Sequence, residues 1–303
     1  MFTPPSLKDG DAVAIVAPAR SIEKEEIEPA MERLTRWGLQ VFPGEYLFNK
    51  HHQFSGTDAQ RAEDFQQMLD DERIKAILCA RGGYGTVRIL EHLNFKKFMQ
   101  HPKWIIGFSD ITVLHSYINN KLGIKTLHAQ MAANFPKNGQ ENQALKMLKE
   151  TLFGKPLSFS WKTGYNKADN VAVSGQLTGG NLSVLYSLNG TPFDIDTGEK
   201  ILFLEDLDEY LYHVDRMMMN LKLSEKLGRI KGLLVGGMTE MNDNKVPFGK
   251  TAYEIIREIS ENFDYPLFFD CPAGHFANNH PLIMGGMAHI KQKGKTVTIK
   301  FNP

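Results

Sequence analysis

The stretch Trp104-Ile105-Ile106-Gly107-Phe108-Ser109-Asp110-Ile111-Thr112-Val113-Leu114-His115 passes from a short apolar run through a Gly-Phe-Ser-Asp corner into an apolar-periodic segment. The pattern predicts a buried strand, a sharp turn and a helix. A turn of that kind lifts a serine hydroxyl above the edge of a sheet. Gly107, lacking a Cβ, lets neighbouring backbone come close. Asp110 would open the helix, where the first N–H groups lack intrahelical partners and can face a developing negative charge. On this stretch alone the commoner reading is simpler: Ser109 or Asp110 caps the helix, as Ser and Asp do before apolar runs. The hydrolase elbow G-x-S-x-G is not matched, because Ile111 stands where its second glycine would be. The rest of the chain has to decide.

Upstream, strands are expected at Asp11–Ala17, Leu39–Phe42 and Ile74–Ala80, the first ended by Pro18. Helices are expected at Glu23–Trp37, where Ile27, Met31 and Leu34 share a face and Gly38 stops the run, and at Thr57–Leu69 with charges on its outer face. The loop Arg81-Gly82-Gly83-Tyr84-Gly85 leads into a further helix through Leu90. Near-continuous apolar strands alternating with helices indicate a parallel sheet covered on both faces. Ligands bind such sheets beyond the carboxyl ends of the strands. The Gly82–Gly85 loop and the Ser109 corner both fall there, which weighs against a mere cap.

From 154 to 170 the texture turns polar and aperiodic, so the chain is expected to divide into an N-terminal domain at 1–153, a crossover linker at 154–170 and a C-terminal domain at 171–303. The second half holds expected strands at Val171–Val173, Ile201–Leu204, Ile230–Val235, Leu267–Phe269 and Thr296–Lys300. Helices are expected from about Glu209 to Leu223 and near Thr251–Glu261. At 303 residues, 42% hydrophobic and 23% charged, the composition is that of a soluble globular protein. Lys+Arg and Asp+Glu balance at 35 each, so bulk charge makes no case for nucleic acid or an anionic membrane. No apolar run approaches the ~18 residues of a membrane helix. The N-terminal residues lack a secretory pattern, so a cytoplasmic location is expected. Cys79 and Cys271 each end an apolar run and read as buried free thiols.

Three polar residues follow apolar strands: Ser109, Glu205 and His275. A serine nucleophile needs a base for its proton, and the base needs an acceptor to hold its tautomer and stabilise its charge. Glu205 has rivals in Asp206, Asp208 and Glu209, of which Asp208 or Glu209 reads as the N-terminal charge of the next helix. His275 stands after Pro272-Ala273-Gly274 in a loop that follows a strand. Metal chemistry is not indicated: there is no H-E-x-x-H and no paired cysteine spacing, and His275 and His280 are separated by amides. The glycine loop is neither G-x-G-x-x-G nor a P-loop, so its better use is as backbone donors beside a reacting carbonyl.

Taken together, Ala80-Arg81-Gly82-Gly83-Tyr84-Gly85, Gly107-Phe108-Ser109-Asp110, Gly179-Gly180-Asn181-Leu182, Leu204-Glu205-Asp206 with Asp215-Arg216-Met217, and Gly274-His275 resemble the LD-carboxypeptidases, serine peptidase family S66. Order and spacing fit from Gly10-Asp11 to Gly285-Gly286. The resemblance implies an α/β protein with an N-terminal Rossmann-like parallel-sheet domain, a C-terminal domain built on a small β-barrel, an active site between them, and a homodimer. By motif it implies Ser109 as nucleophile, His275 as general base, Glu205 as its orienter, and the backbone N–H groups of Gly83 and Asp110 as oxyanion hole. The implied reaction releases the terminal D-alanine of murein tetrapeptide in cell-wall recycling, with no metal or organic cofactor. A carboxypeptidase must also read a free carboxylate, and a guanidinium does so bidentately. Arg81 is a candidate by position, equally readable as a brace for its loop, and Tyr84 beside it is a second candidate for substrate contact.

Two alternatives remain open on the sequence. A sister group resembling the microcin C immunity proteins cleaves aminoacyl or peptidyl nucleotides, using a longer insertion with a stacking aromatic. Here Gly236–Phe248 is compact and has no tryptophan. A non-catalytic binder of a small ligand would explain the glycines but not the joint presence of Ser109, Glu205 and His275.

Overall fold

The computed structural model describes residues 1–137, 139–165 and 170–302. The chain forms two compact units: residues 1–155 with 280–283, and the remainder from Pro156 to Asn279 and from Met284 onward.

In the first unit, strands β1 (Ala12–Val16), β2 (Gln40–Pro43), β3 (Ile74–Cys79), β4 (Trp104–Gly107) and β5 (Thr126–His128) alternate with helices. The helices are α1 (Lys24–Arg36), α2 (Asp58–Asp70), α3 (Thr86–Leu90), α4 (Lys96–Gln100), α5 (Thr112–Tyr117) and α6 (Gln143–Leu152). The sheet order is β11-β5-β4-β3-β1-β2, with β11 (Leu282–Met284) arriving from late in the chain. The registered pairs among β1 to β5 are all parallel. Every residue of β1 and β4 is buried, as the near-continuous apolar runs require of a sheet covered on both faces. α1 and α2 each start with a capping box, Glu23–Glu26 and Thr57–Gln60.

Helix α2 departs from the sequence reading. Arg61 and Asp64, expected on an outer charged face, are 2% and 3% exposed. Each is buried because backbone groups satisfy it: Arg61 donates to two loop carbonyls, and Asp64 accepts from the Tyr46 N–H at 3.0 Å.

The second unit is one mixed sheet of seven strands in the order β10-β9-β8-β7-β12-β13-β6. Its strands are β6 (Ser158–Lys162), β7 (Val171–Asn181), β8 (Lys200–Leu207), β9 (Gly232–Thr239), β10 (Leu267–Phe268), β12 (Met287–Lys293) and β13 (Thr296–Phe301). Strands β7 to β10 are parallel, and β7, β12, β13 and β6 pair antiparallel. Among the described residues β10 and β6 are not paired with each other. Helices α7 (Leu182–Leu188), α8 (Leu211–Leu223) and α9 (Ala252–Ser260) close one apolar core that includes Leu204, Val214, Met218, Val235 and Ile256. The polar stretch 154–170 contributes β6, an edge strand of this sheet, while 166–169 lie outside the described residues.

Candidate active site

In the first unit the carboxyl ends of β1, β3, β4 and β5 carry the loops of interest. Ser109 does not cap a helix. It begins a 3₁₀ turn, Ser109–Ile111, and α5 starts only at Thr112, with no side-chain cap on either. Ser109 has φ +60°, in the left-handed region that a non-glycine residue adopts at a cost. Gly107 packs against Ile111 so closely that a Cβ would sit 2.8 Å from its Cγ1. That contact leaves no room for a larger residue at position 107 unless Ile111 shifts.

Asp110 is buried, and its carboxylate accepts from the backbone N–H of Thr86 at 2.8 Å rather than capping its own turn. Burial raises its pKa, against the opposing pull of Thr86 and the charge of Arg61. Behind the corner, His115 Nε2 donates to the Gly107 carbonyl at 2.9 Å, since a carbonyl can only accept. Its Nδ1 therefore accepts from the Thr126 hydroxyl at 2.8 Å. Burial pushes this imidazole down to about 4, so it stays neutral and fixes the strand end.

The glycine loop lies against the serine. A Cβ on Gly82 would come 3.0 Å from Ser109 Cβ and 3.1 Å from its Oγ. Gly83 has φ +108°, and a Cβ there would lie 2.2 Å from Arg20 Cδ. Only glycine allows both approaches. Arg81 is paired with Glu26 of α1 at 3.4 Å, and Tyr84, half exposed, rests beside Phe54.

The second unit brings Glu205 and His275 together. Glu205 is wholly buried near the end of β8, and its Oε2 meets His275 Nδ1 at 2.7 Å. The pairing of β8 with β9 slips between Leu204 and Asp206, so Glu205 stands at a bulge, a device that re-aims a side chain. A carboxylate can only accept, so Nδ1 carries a proton and, in the neutral ring, the lone pair is on Nε2. Burial alone would lower the His275 pKa, but the hydrogen bond and charge of Glu205, then the charges of Asp206 and Glu240, leave it raised.

The His275 loop is seated on the end of β9. Gly237 N–H donates to Ala273 O at 3.0 Å, and Cys271 N–H donates to Val235 O at 3.1 Å. Gly236 permits this, since a Cβ there would meet Ala273 O at 2.3 Å. Asn279 is buried and its Oδ1 accepts from Gly274 N–H at 2.8 Å, fixing the turn before the histidine.

Asp206, one of the rivals of Glu205, has a separate role. Its carboxylate accepts from Asn181 Nδ2 at 2.9 Å, Ser183 N at 2.8 Å and Leu207 N at 2.9 Å. Burial first, then the neighbouring Glu205, pushes its pKa up to about 7. This explains the Gly179-Gly180-Asn181 motif. A Cβ on Gly179 would lie 2.0 Å from Phe203 O on the paired strand, and Asn181 caps α7 while holding Asp206. Neither Asp208 nor Glu209 caps α8: Tyr210 occupies that position, and Glu209 accepts from His213 Nδ1 at 2.6 Å. Both cysteines are free and buried. No cluster of three or more His, Cys, Asp or Glu able to hold a metal ion occurs among the described residues. None of their helices is long and apolar enough to cross a membrane.

Sequence reasoning missed Arg61 and Asn279. Arg61 carried a signal, since it shares the i, i+4, i+8 stripe of Phe65 and Leu69, both buried. Asn279 carried none, being one of two adjacent asparagines in a loop.

The family description LD-carboxypeptidase N-terminal domain matches residues 13–129, and LD-carboxypeptidase C-terminal domain matches residues 174–290. The chain is 34% identical over 312 aligned positions to a protein of Bacillus subtilis (strain 168) described as a probable murein peptide carboxypeptidase. That alignment covers 99% of this chain and 94% of the relative. The crystal structure of muramoyltetrapeptide carboxypeptidase from Oxalobacter formigenes superposes with a TM-score of 0.87 at 28% identity, covering 96% of this chain and 99% of that one. The microcin C7 self-immunity protein MccF shares the fold at 20% identity, with a TM-score of 0.84 and 97% of each chain covered.

Proposed function

Because the chain belongs to the LD-carboxypeptidase family, we propose that it is a serine carboxypeptidase that cuts the L,D-amide of murein tetrapeptide and releases terminal D-alanine. The observation that carries the reading is the buried Glu205 bound to His275 Nδ1 at 2.7 Å, which holds the neutral ring in the tautomer whose Nε2 can accept a proton. With Ser109 held in a left-handed conformation beside a glycine loop, the chain has the three groups that acyl transfer needs.

In this reading His275 Nε2 takes the hydroxyl proton as Ser109 Oγ attacks the amide carbonyl, and Glu205 stabilises the imidazolium that forms. The tetrahedral oxyanion is met by the N–H groups of Gly83 and Asp110, dipoles already oriented before charge develops. The imidazolium passes its proton to the departing amine of D-alanine. Water, activated in turn by His275, then hydrolyses the acyl-serine ester. Arg81 or Tyr84 contacts the peptide, and the standing Arg81–Glu26 pair means that Arg81 must exchange a partner to bind a carboxylate. No metal enters this chemistry. We place the protein in the cytoplasm, which two free buried thiols support, and as a homodimer, which the family resemblance supports.

The test is incubation of wild type and Ser109→Ala with murein tetrapeptide, following tripeptide and free D-alanine by mass spectrometry. Turnover should fall by about 10⁴-fold or more in the variant. Equal release by both would refute the serine mechanism. Release by neither would redirect the search to aminoacyl-nucleotide substrates.

A further inference from the structure

We propose that Arg61 is a positioning residue for the oxyanion-stabilising backbone, acting from beneath the loops without touching substrate. The proposal rests on the assignment of the Gly83 and Asp110 N–H groups as the oxyanion donors.

Arg61 projects from the first turn of α2 and is 2% exposed. Its Nη1 donates to two carbonyls, Pro18 O in the loop after β1 and Gly85 O, at 2.9 Å, in the loop after β3. Its Nη2 donates to Asp58, whose carboxylate also takes Arg88 Nε at 3.0 Å and Nη2 at 2.6 Å. The guanidinium plane lies over the Phe54 ring, 4.9 Å from its centroid, and Tyr84 rests on the same ring. A buried guanidinium is expensive unless its donors are satisfied; here Nη1 is spent on two separate loops and Nη2 on Asp58, while Nε has no hydrogen-bond partner.

The decisive feature is a single peptide unit. The carbonyl of Gly85 is held by Arg61, and the N–H of the same Gly85–Thr86 peptide is held by the Asp110 carboxylate at 2.8 Å. The peptide dipole is therefore gripped by a cation at its oxygen and an anion at its nitrogen. Its orientation is fixed at both ends, and Asp110 is the residue next to Ser109. Gly83, two residues before this peptide, has φ +108°, and Gly85 has φ +136°. Such glycines have no side chain to resist rotation, so the loop needs an external hold to keep one conformation. A Cβ on Gly85 would sit 2.8 Å from Arg61 Nη1, which shows how closely the loop is drawn onto the guanidinium.

Lysine cannot replace this residue. It offers one nitrogen at the end of a flexible stem, whereas the planar fork reaches both carbonyls and the carboxylate at once. Loss of the hold would let the Gly83 N–H drift from the place where oxyanion charge develops, while leaving the peptide-binding surface in place. The signature is a fall in kcat with little change in KM, because only the transition state uses those donors.

The experiment uses the full chain as Arg61→Lys, Arg61→Met and Asp58→Asn. Three readouts are taken: turnover of murein tetrapeptide, inhibition by a peptidyl boronic acid that forms a tetrahedral adduct on Ser109, and tetrapeptide affinity on a Ser109→Ala background. Arg61→Lys should lose about 10²-fold in kcat. Boronate affinity should fall in parallel, while KM and the ground-state affinity stay within about twofold. Asp58→Asn should shift in the same direction by less. Unchanged kcat in a folded Arg61→Lys would overturn the proposal. So would a loss matched by a smaller folded fraction at the assay temperature, or an equal loss of ground-state affinity. Should Arg61→Met fail to fold, the other two variants decide. Full turnover by Ser109→Ala would instead defeat the underlying reading, and inactive Ser109→Ala with unaffected Arg61→Lys would defeat this inference alone.

Discussion

Gly274 shows how much of the chemistry depends on one missing methyl group. Its φ is +118°, and a Cβ would lie 2.8 Å from Glu205 Oε2 and 2.9 Å from Glu205 Cβ. Gly274→Ala should push the His275 loop off the carboxylate and lower kcat by about 10²-fold or more, measured with folding checked by circular dichroism. The same contact sets the pH dependence. In the proposed mechanism the base must be neutral, so activity should be lost as pH falls through the pKa of His275, which its acidic neighbours hold above 6.5. The acid limb of kcat/KM should therefore lie above 6.5 in the wild type. In Glu205→Gln, with burial left as the dominant influence, the residual activity should show the limb below that value. Asp206→Asn should move it down by less. Asp206 itself titrates at about 7, so the observed limb belongs to the coupled groups. A pH-rate series on the three proteins checks this, and an unmoved limb in Glu205→Gln would contradict it.

Elements that bury one continuous stripe were readable from sequence, and those that satisfy two demands were not. β1, β3 and β4 stood out as apolar runs, and α9 as a helix near Thr251–Glu261, which the structure opens with a Thr251–Glu254 capping box. β6 and β12 alternate exposed and buried residues over short lengths and end among lysines and glycines, so their pattern resembled loop. The Ser109 corner was legible as a strand-to-turn boundary, but its 3₁₀ geometry was not, because the cap and the turn use the same residue types. Glu205 was distinguishable from Asp208 and Glu209 by its place at a strand end. That Asp206 would be buried equally well was hidden by the bulge, which spacing cannot reveal.

Helix α2 offers a test at this scale. Lys103, 1% exposed, donates from Nζ to Met68 O at 2.9 Å and Asp71 O at 2.7 Å, closing the carboxyl end of that helix. Burial pushes its pKa down to about 8. Between pH 8 and the unfolded value of 10.5 the unfolded chain binds the extra proton, so this lysine makes stability rise with pH across that window. Chemical denaturation at pH 7.5 and 10 should show that increment in wild type and lose it in Lys103→Met. Equal pH dependence in both would exclude the lysine as its source.

At the scale of the whole molecule, sequence order and spatial unit do not coincide. The first unit is built from residues 1–155, yet its sheet ends on β11, drawn from 282–284. Residues 1–155 alone would leave β5 as a bare edge, with unpaired backbone groups on a short buried strand. That fragment should show weak amide protection at Thr126–His128 and a tendency to aggregate. Joining residues 280–284 to it through a flexible linker should restore protection in hydrogen exchange. Full protection in the unaided fragment would show that β11 is dispensable.

The position of β11 also has a consequence for synthesis. The strand begins at Leu282, while β5 ends at His128, so the first unit cannot finish its sheet until the whole intervening segment has been made. At roughly 5–20 residues per second, β5 waits on the order of ten to thirty seconds for its neighbour. During that interval the nascent chain already carries Ser109 and the glycine loop on an incomplete scaffold. A premature stop a few codons before β11 would spare Ser109, Glu205 and His275 and still deny Ser109 its finished sheet. A segment made long after Ser109 thus acts as a checkpoint on the scaffold that carries it.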